Sequence, residues 1–454
     1  MNNLLLNSQL ANDLYFSVKD LPVIDYHNHL SVVDISEDKR YLDIYELWIA
    51  PDPYKHRAMR MCGVFEAFIT GNATNKEKFI KWCETVPKLI GNPLWVWSHM
   101  ELSYVFGIEE HINGENAELL YERCNSFLAE NEVTVSTLLN KFNVEYACPC
   151  ASLTEDISCF YDSERFAPSL RGDDIVRPTK AFAEKLAIKA GCEICSLSDY
   201  TCAIAQRLKA FKDCGCCFSD HALDNGFQFY QDDGKNEERF MQMLDGRLEK
   251  GEQERLASYI LAFLAGTYAK LGFTMQLHIG AQRYTSTRLR KAAGSAGGFA
   301  GIGNSVDVNA LTTFLDCVEQ GEYGLPKMVI FTLNPADNAL VSVLSGSYAK
   351  DGVAGLITQG PAWWWCDHKT GITDVLESIA AFGVLYNFIG MTTDSRSFLS
   401  FVRHDYFRKI LCDWIAQKVQ CGDFTDDRES LCALLKNVCY FNAKNVVGGN
   451  YSEI

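Results

Sequence analysis

Eight short apolar runs recur along this 454-residue chain, at residues 22–26, 144–148, 166–170, 216–218, 273–277, 328–333, 355–357 and 388–392, each ending in polar or charged side chains. Between most of them lie stretches of helical periodicity, among them 179–190, 200–212, 255–271, 310–319 and 374–383. Short apolar strands alternating with amphipathic helices read as parallel βαβ units. Eight units predict an α/β protein of the closed (β/α)8 TIM-type barrel class, whose chemistry sits at the C-terminal strand ends. One interval breaks the rhythm. Residues 31–143 hold helical stretches (75–86 and 115–130) and little β character. The expected organisation is a barrel of residues 1–30 and 144–454, with 31–143 a helical insertion after the first strand, over the active-site face.

Composition narrows the functions such a chain can serve. Hydrophobic residues make up 48% and charged ones 22%, a globular balance that excludes disordered and collagen-like chains. Fifty-eight acids against 42 bases give a net charge of −16. That field repels polyphosphate, so neither nucleic acid nor an anionic membrane is an expected partner. A small anion is still acceptable where arginines cluster. Residues 1–17 carry no positive charge, and nowhere do 18 uncharged apolar residues follow one another. The expected compartment is therefore the cytoplasm, with the 18 cysteines as reduced thiols.

The most informative segment is Val23-Ile24-Asp25-Tyr26-His27-Asn28-His29. Side chains alternate along a strand, so His27 and His29 point the same way from one strand end. Neutral imidazoles so placed can share one divalent metal. Further donors are expected at other strand ends: His278 closes Met275-Gln276-Leu277, His221 follows Ser219-Asp220, and Asp394 ends the eighth run. Four of the nine histidines thus fall at predicted C-terminal strand ends.

Three other features have plainer readings. Cys192-x-x-Cys195 and Cys214-x-x-Cys217 have the spacing of a structural zinc site. A helix over 198–212, opened by Ser198 or Asp199, would hold the two pairs about 20 Å apart, so free thiols are expected instead. Of Trp363-Trp364-Trp365, at most one is expected to stack on a ligand, taken as Trp364. The Gly-rich stretch 294–303 lacks a phosphate-loop context and reads as a loop near the active site, and Arg288 beside it could approach an anion.

The chain resembles the glucuronate isomerase branch of the amidohydrolase superfamily. The resemblance rests on Asp25-Tyr26-His27-Asn28-His29, Tyr54-Lys55 with Arg57-Ala58-Met59-Arg60, Ser219-Asp220-His221, Leu277-His278-Ile279-Gly280, Leu333-Asn334-Pro335, and above all Thr393-Asp394-Ser395-Arg396-Ser397-Phe398-Leu399 continuing through Arg403-His404 to Arg408-Lys409-Ile410-Leu411-Cys412. It implies interconversion of D-glucuronate with D-fructuronate and of D-galacturonate with D-tagaturonate, in a homo-oligomer. His27, His29 and Asp394 would hold one divalent metal, usually zinc, with His278 beside it. Tyr54, Asp394, Arg396 and His278 would be catalytic. Tyr54 would be the C2 base if Lys55 or Arg57 and the metal depressed its pKa. Arg171 would pair with the uronate carboxylate, with His221, Lys55, Arg57, Arg288 and Trp364 as further substrate contacts. A metal-dependent hydrolase on the same scaffold, or a divergent member with altered substrate or lost turnover, is the alternative. Two departures stand out. Members commonly read Asp-His-Tyr-Lys-Trp-Arg where this chain has Asp52-Pro53-Tyr54-Lys55-His56-Arg57, and often Thr-Thr-Asp-Asp-Pro where it has Cys148-Pro149-Cys150-Ala151-Ser152.

Overall fold

The apolar runs become strands of one curled parallel sheet in the computed structural model, which describes residues 4–448. They are β1 (Val23–Asn28), β2 (Val144–Ser152), β3 (Ser169–Arg171), β4 (Phe218–Leu223), β5 (Thr274–Ile279), β6 (Met328–Thr332) and β7 (Ile357–Gln359). They pair in sequence order, each parallel to the next, with helices in the crossovers. This is the TIM-type barrel architecture. Alternation along the strands sorts their side chains. Met275, Leu277, Met328 and Ile330 join the large core shared with the helices, while Ile24, Tyr26, Cys148, Phe218, Val329 and Phe331 form a second, inner cluster.

The eighth run is no strand, which corrects the sequence expectation. Residues 388–395 nonetheless lie along β1, held mainly by side chains where a ladder would have used backbone. Tyr26 Oη donates to Gly390 O, and Thr392 Oγ1 accepts from His27 N and donates to His27 O. Backbone bonds follow only at the end, from Asp394 N to His27 O and from His29 N to Ser395 O. Gly390 (φ +81°) and Asp394 (φ +46°) both occupy the left-handed region, which a strand cannot accommodate.

Residues 31–143 hold seven α-helices and, among the described residues, no strand. Two of their starts are written locally. Asp52 caps the helix Pro53–Met61, which has proline at its first position, and Thr74 with Glu77 forms a capping box on Asn75–Thr85. Trp48, Phe79 and Trp82 anchor this segment in the large core. The helix between the two Cys pairs spans Leu197–Asp213, and its cap is Ser196 rather than Ser198 or Asp199. At 1.5 Å per residue it separates the pairs by about 25 Å. Among the described residues no helix is long and apolar enough to cross a membrane.

The loop after β3 is packed to its limit. A Cβ on Gly172 would fall 2.0 Å from the His221 ring. Gly172→Ala is therefore expected to cost about 1–3 kcal/mol through displaced packing. Thermal unfolding checks this, and an unchanged melting temperature would contradict the contact.

Candidate active site

A cavity of about 680 Å³ opens at the C-terminal strand ends, with His29, Tyr54, Arg171, Trp364, Asp394 and Arg396 among its lining residues. Its floor is built by the first and last segments of the barrel. β1 slips one residue against β2 between Asp25 and Asn28. Asp25, fully buried, then ties the end segment down. Its carboxylate accepts from Thr393 N (2.7 Å), Thr393 Oγ1 (2.8 Å) and Asn28 Nδ2 (2.9 Å), and lies 3.0 Å from Thr392 Oγ1 and 3.1 Å from His404 Nε2. Burial alone would raise the Asp25 carboxyl, but His404 and the Thr393 bonds hold it below the usual range.

Beyond this clasp His27 and His29 converge on one oxygen. Asp394 Oδ1 lies 3.2 Å from His27 Nε2 and 3.1 Å from His29 Nε2. Trp363 Nε1 donates to the other oxygen at 2.7 Å. Burial opposes charge on Asp394, yet the two imidazoles hold its carboxyl well below the ordinary value. His278 stacks on Phe331 and lies 4.7 Å, ring to ring, from His27. Its Nδ1 is 2.6 Å from Asp220 Oδ1, and its buried Nε2 has no hydrogen-bond partner. Cys150 Sγ stands 3.6 Å from His27 Nδ1, and burial, which would raise its pKa, is outweighed by His27 and His29, leaving it at about 7.

These donors suit a divalent cation. Ligand atoms of His27, His29 and Cys150 lie within 4.8 Å of one another, as do those of His27, Asp220 and His278. Imidazole nitrogens, carboxylate oxygens and an orphaned buried Nε2 are the donor set that zinc and related ions take.

Four other sequence candidates lie elsewhere. His221 points away from the cavity, with Nε2 2.9 Å from Tyr268 Oη on the helix Lys250–Leu271. Alternation along β4 brings Asp220 inward instead, and that period-two signal could have singled it out over its neighbour. Lys55 is buried in ion pairs with Asp52 (2.7 Å) and Glu101 (3.2 Å). Arg57 donates to the carbonyls of Gly298 and Ala300 and stacks on Trp365. Arg288 is exposed on the helix Thr287–Ala293. Neither Lys55 nor Arg57 depresses the Tyr54 phenol. Burial, and then the Asp394 charge, push it well above its usual value, opposed by Arg403, whose guanidinium lies 4.9 Å from the ring.

Arg171 and Arg396 share the cavity wall. Burial lowers the Arg396 pKa, and among the nearby charges Arg171 adds to that lowering. Arg283, bonded to Asp224 Oδ1 at 2.8 Å, sits over the Trp364 ring, and sequence reasoning did not single it out. No motif marks it. The fold alone brings residues 224, 283 and 364 together.

Comparison with known proteins agrees with this arrangement. A family model describing glucuronate isomerase matches residues 1–447. A uronate isomerase from Caldanaerobacter subterraneus subsp. tengcongensis is 37% identical over 459 residues, covering 98% of both chains. One from Bacillus licheniformis is 37% identical, covering 98% of this chain and 96% of its own. The crystal structure of a uronate isomerase from Thermotoga maritima superposes with a TM-score of 0.91 at 29% identity, covering 98% of this chain and 99% of that one. A glucuronate isomerase from Caulobacter crescentus gives 0.91 at 23% identity, covering 100% and 97%, a likeness of fold. Matched along almost its whole length in sequence and in fold, the chain belongs to the glucuronate isomerase family of aldose–ketose isomerases.

Proposed function

We propose that this isomerase interconverts D-glucuronate with D-fructuronate, and D-galacturonate with D-tagaturonate, using one divalent cation, zinc, held by His27, His29 and Asp394. The observation that carries this reading is one cavity with two chemistries: a His–His–Asp cluster on its floor and the Arg171–Arg396 pair on its wall. A planar guanidinium matches a carboxylate with two parallel N–H donors, and an anion between two like charges relieves their repulsion. The bound cation supplies Lewis-acid stabilisation of negative charge developing on the sugar oxygens. Trp363 fixes the Asp394 carboxylate through Oδ2, and Asp220 fixes the His278 ring through Nδ1, leaving its buried Nε2 without a protein partner.

Aldose–ketose exchange moves a proton from C2 to C1 and exchanges protons on the flanking oxygens. Tyr54 serves as the oxygen-side donor, because its phenol stays protonated throughout neutral pH. The sign follows from the raised pKa: the neutral form persists as pH rises past 10, so Tyr54 contributes no alkaline limb below that pH. Tyr54→Phe is expected to lower kcat about 10²–10⁴-fold, as loss of a positioned proton donor does. The pH profile between 7 and 10 should keep its shape. Loss of an alkaline limb in the variant would contradict the assignment.

The function itself is tested by turnover of both uronates in D₂O, followed by proton NMR. Ketose carrying deuterium at C1 is expected, with the signal lost on chelation and restored by zinc. Turnover that survives removal of all metal, or hydrolysis without C–H exchange, would overturn it.

A further inference from the structure

Two residues before the end of β2, Cys150 places a thiol where the donors gather. Cys150 Sγ lies 3.6 Å from His27 Nδ1, and the ligand atoms of His27, His29 and Cys150 all lie within 4.8 Å of one another. The arrangement is fixed by the backbone, since β1 and β2 run parallel with Asn28 opposite Pro149 at their C-terminal ends. Both imidazoles lie against Asp394 (3.2 and 3.1 Å) and both belong to the trio with Cys150; the thiol meets His27 at Nδ1 and the carboxylate meets it at Nε2. A second, independent sign of a missing ligand is His278 Nε2, buried without a partner on a ring 4.7 Å from that of His27.

We infer that Cys150 coordinates, as a thiolate, the cation that His27 and His29 hold. The inference rests on the metal reading above and extends it to a donor set containing sulfur. Coordination replaces the S–H bond by a sulfur–metal bond, and the thiol proton leaves to solvent. A soft sulfur donor shifts preference toward zinc, cobalt or cadmium and away from magnesium or manganese. Cys150, near the end of β2, then changes which metal the centre prefers and leaves the centre itself in place.

Cobalt makes the sulfur visible. Full-length protein stripped of metal and loaded with Co²⁺ under argon is expected to show visible ligand-field bands and a near-ultraviolet sulfur-to-cobalt charge-transfer band. Cys150→Ser should keep stoichiometric cobalt and the visible bands while losing the near-ultraviolet one. A near-ultraviolet band absent from the unaltered protein, or undiminished in the variant, would overturn the inference while leaving the metal centre intact. Failure of the unaltered protein to take up any cobalt would instead overturn the metal reading on which it rests. Should the variant not fold, iodoacetamide labelling read by mass spectrometry needs no substitution. Cys150 should label in the metal-free protein and be protected by zinc, and equal labelling in both states would overturn the inference.

Discussion

Asp394→Ala is expected to lower turnover of either uronate by about 10³-fold or more and to weaken metal binding in the same protein. Among the described residues, Asp394 is the one carboxylate that meets both His27 and His29, at 3.2 and 3.1 Å, and its other oxygen is held by Trp363. Under the proposed function, removing it would take an anionic ligand from the cation and weaken its binding, and with it the Lewis-acid stabilisation of the sugar oxygens. Lewis-acid stabilisation is worth several kcal/mol, and about 4 kcal/mol corresponds to roughly 10³ in rate. Metal content by mass spectrometry beside kcat checks both parts. A variant that retains full metal and full activity would remove Asp394 from the centre. The fold should survive, because the bonds of Asp25, Tyr26 and Thr392 and the Asp394 backbone N–H, which bind the end segment to β1, all remain in the variant.

The second large effect belongs to the arginine pair. Arg396→Ala is expected to reduce kcat/KM for glucuronate about 100-fold, the equivalent of roughly 3 kcal/mol for charge-assisted hydrogen bonds to a carboxylate. Arg171→Ala should behave alike. The two losses should not add, because both guanidiniums address one anion. The discriminating measurement uses glucose, which lacks the carboxylate. Any turnover of glucose should change little in either variant, so that the ratio of uronate to hexose activity collapses. An equal loss on both sugars would mean that the arginines shape the cavity and do not read the carboxylate.

What the sequence showed of this protein follows the range over which its signals act. His27 and His29 are two residues apart on a strand, so period two sufficed to place them together. Their meeting with Asp394 also follows from barrel topology, which sets the last segment beside the first. Alternation could equally have separated Asp220 from His221. The motif Ser219-Asp220-His221 drew attention to the imidazole, while the strand turns it toward Tyr268. The eighth segment forms no strand for a different reason. Its apolar run is real, but the bonds that hold it use the Tyr26 hydroxyl and the Thr392 side chain, partners 364 and 365 residues away in sequence. Lys55 and Tyr54 are neighbours on one helix yet face opposite surroundings, the first toward Asp52 and Glu101, the second toward the cavity. Adjacency in sequence therefore gave no guide to the Tyr54 phenol. Burial governs it, and burial is a property of the whole fold.

Anomalous diffraction from a crystal of the zinc-loaded protein, recorded at the zinc edge, tests the metal centre directly. A single peak bonded to His27, His29 and Asp394 is the predicted result. No peak in that cluster at stoichiometric zinc, or a peak elsewhere in the molecule, would contradict the account.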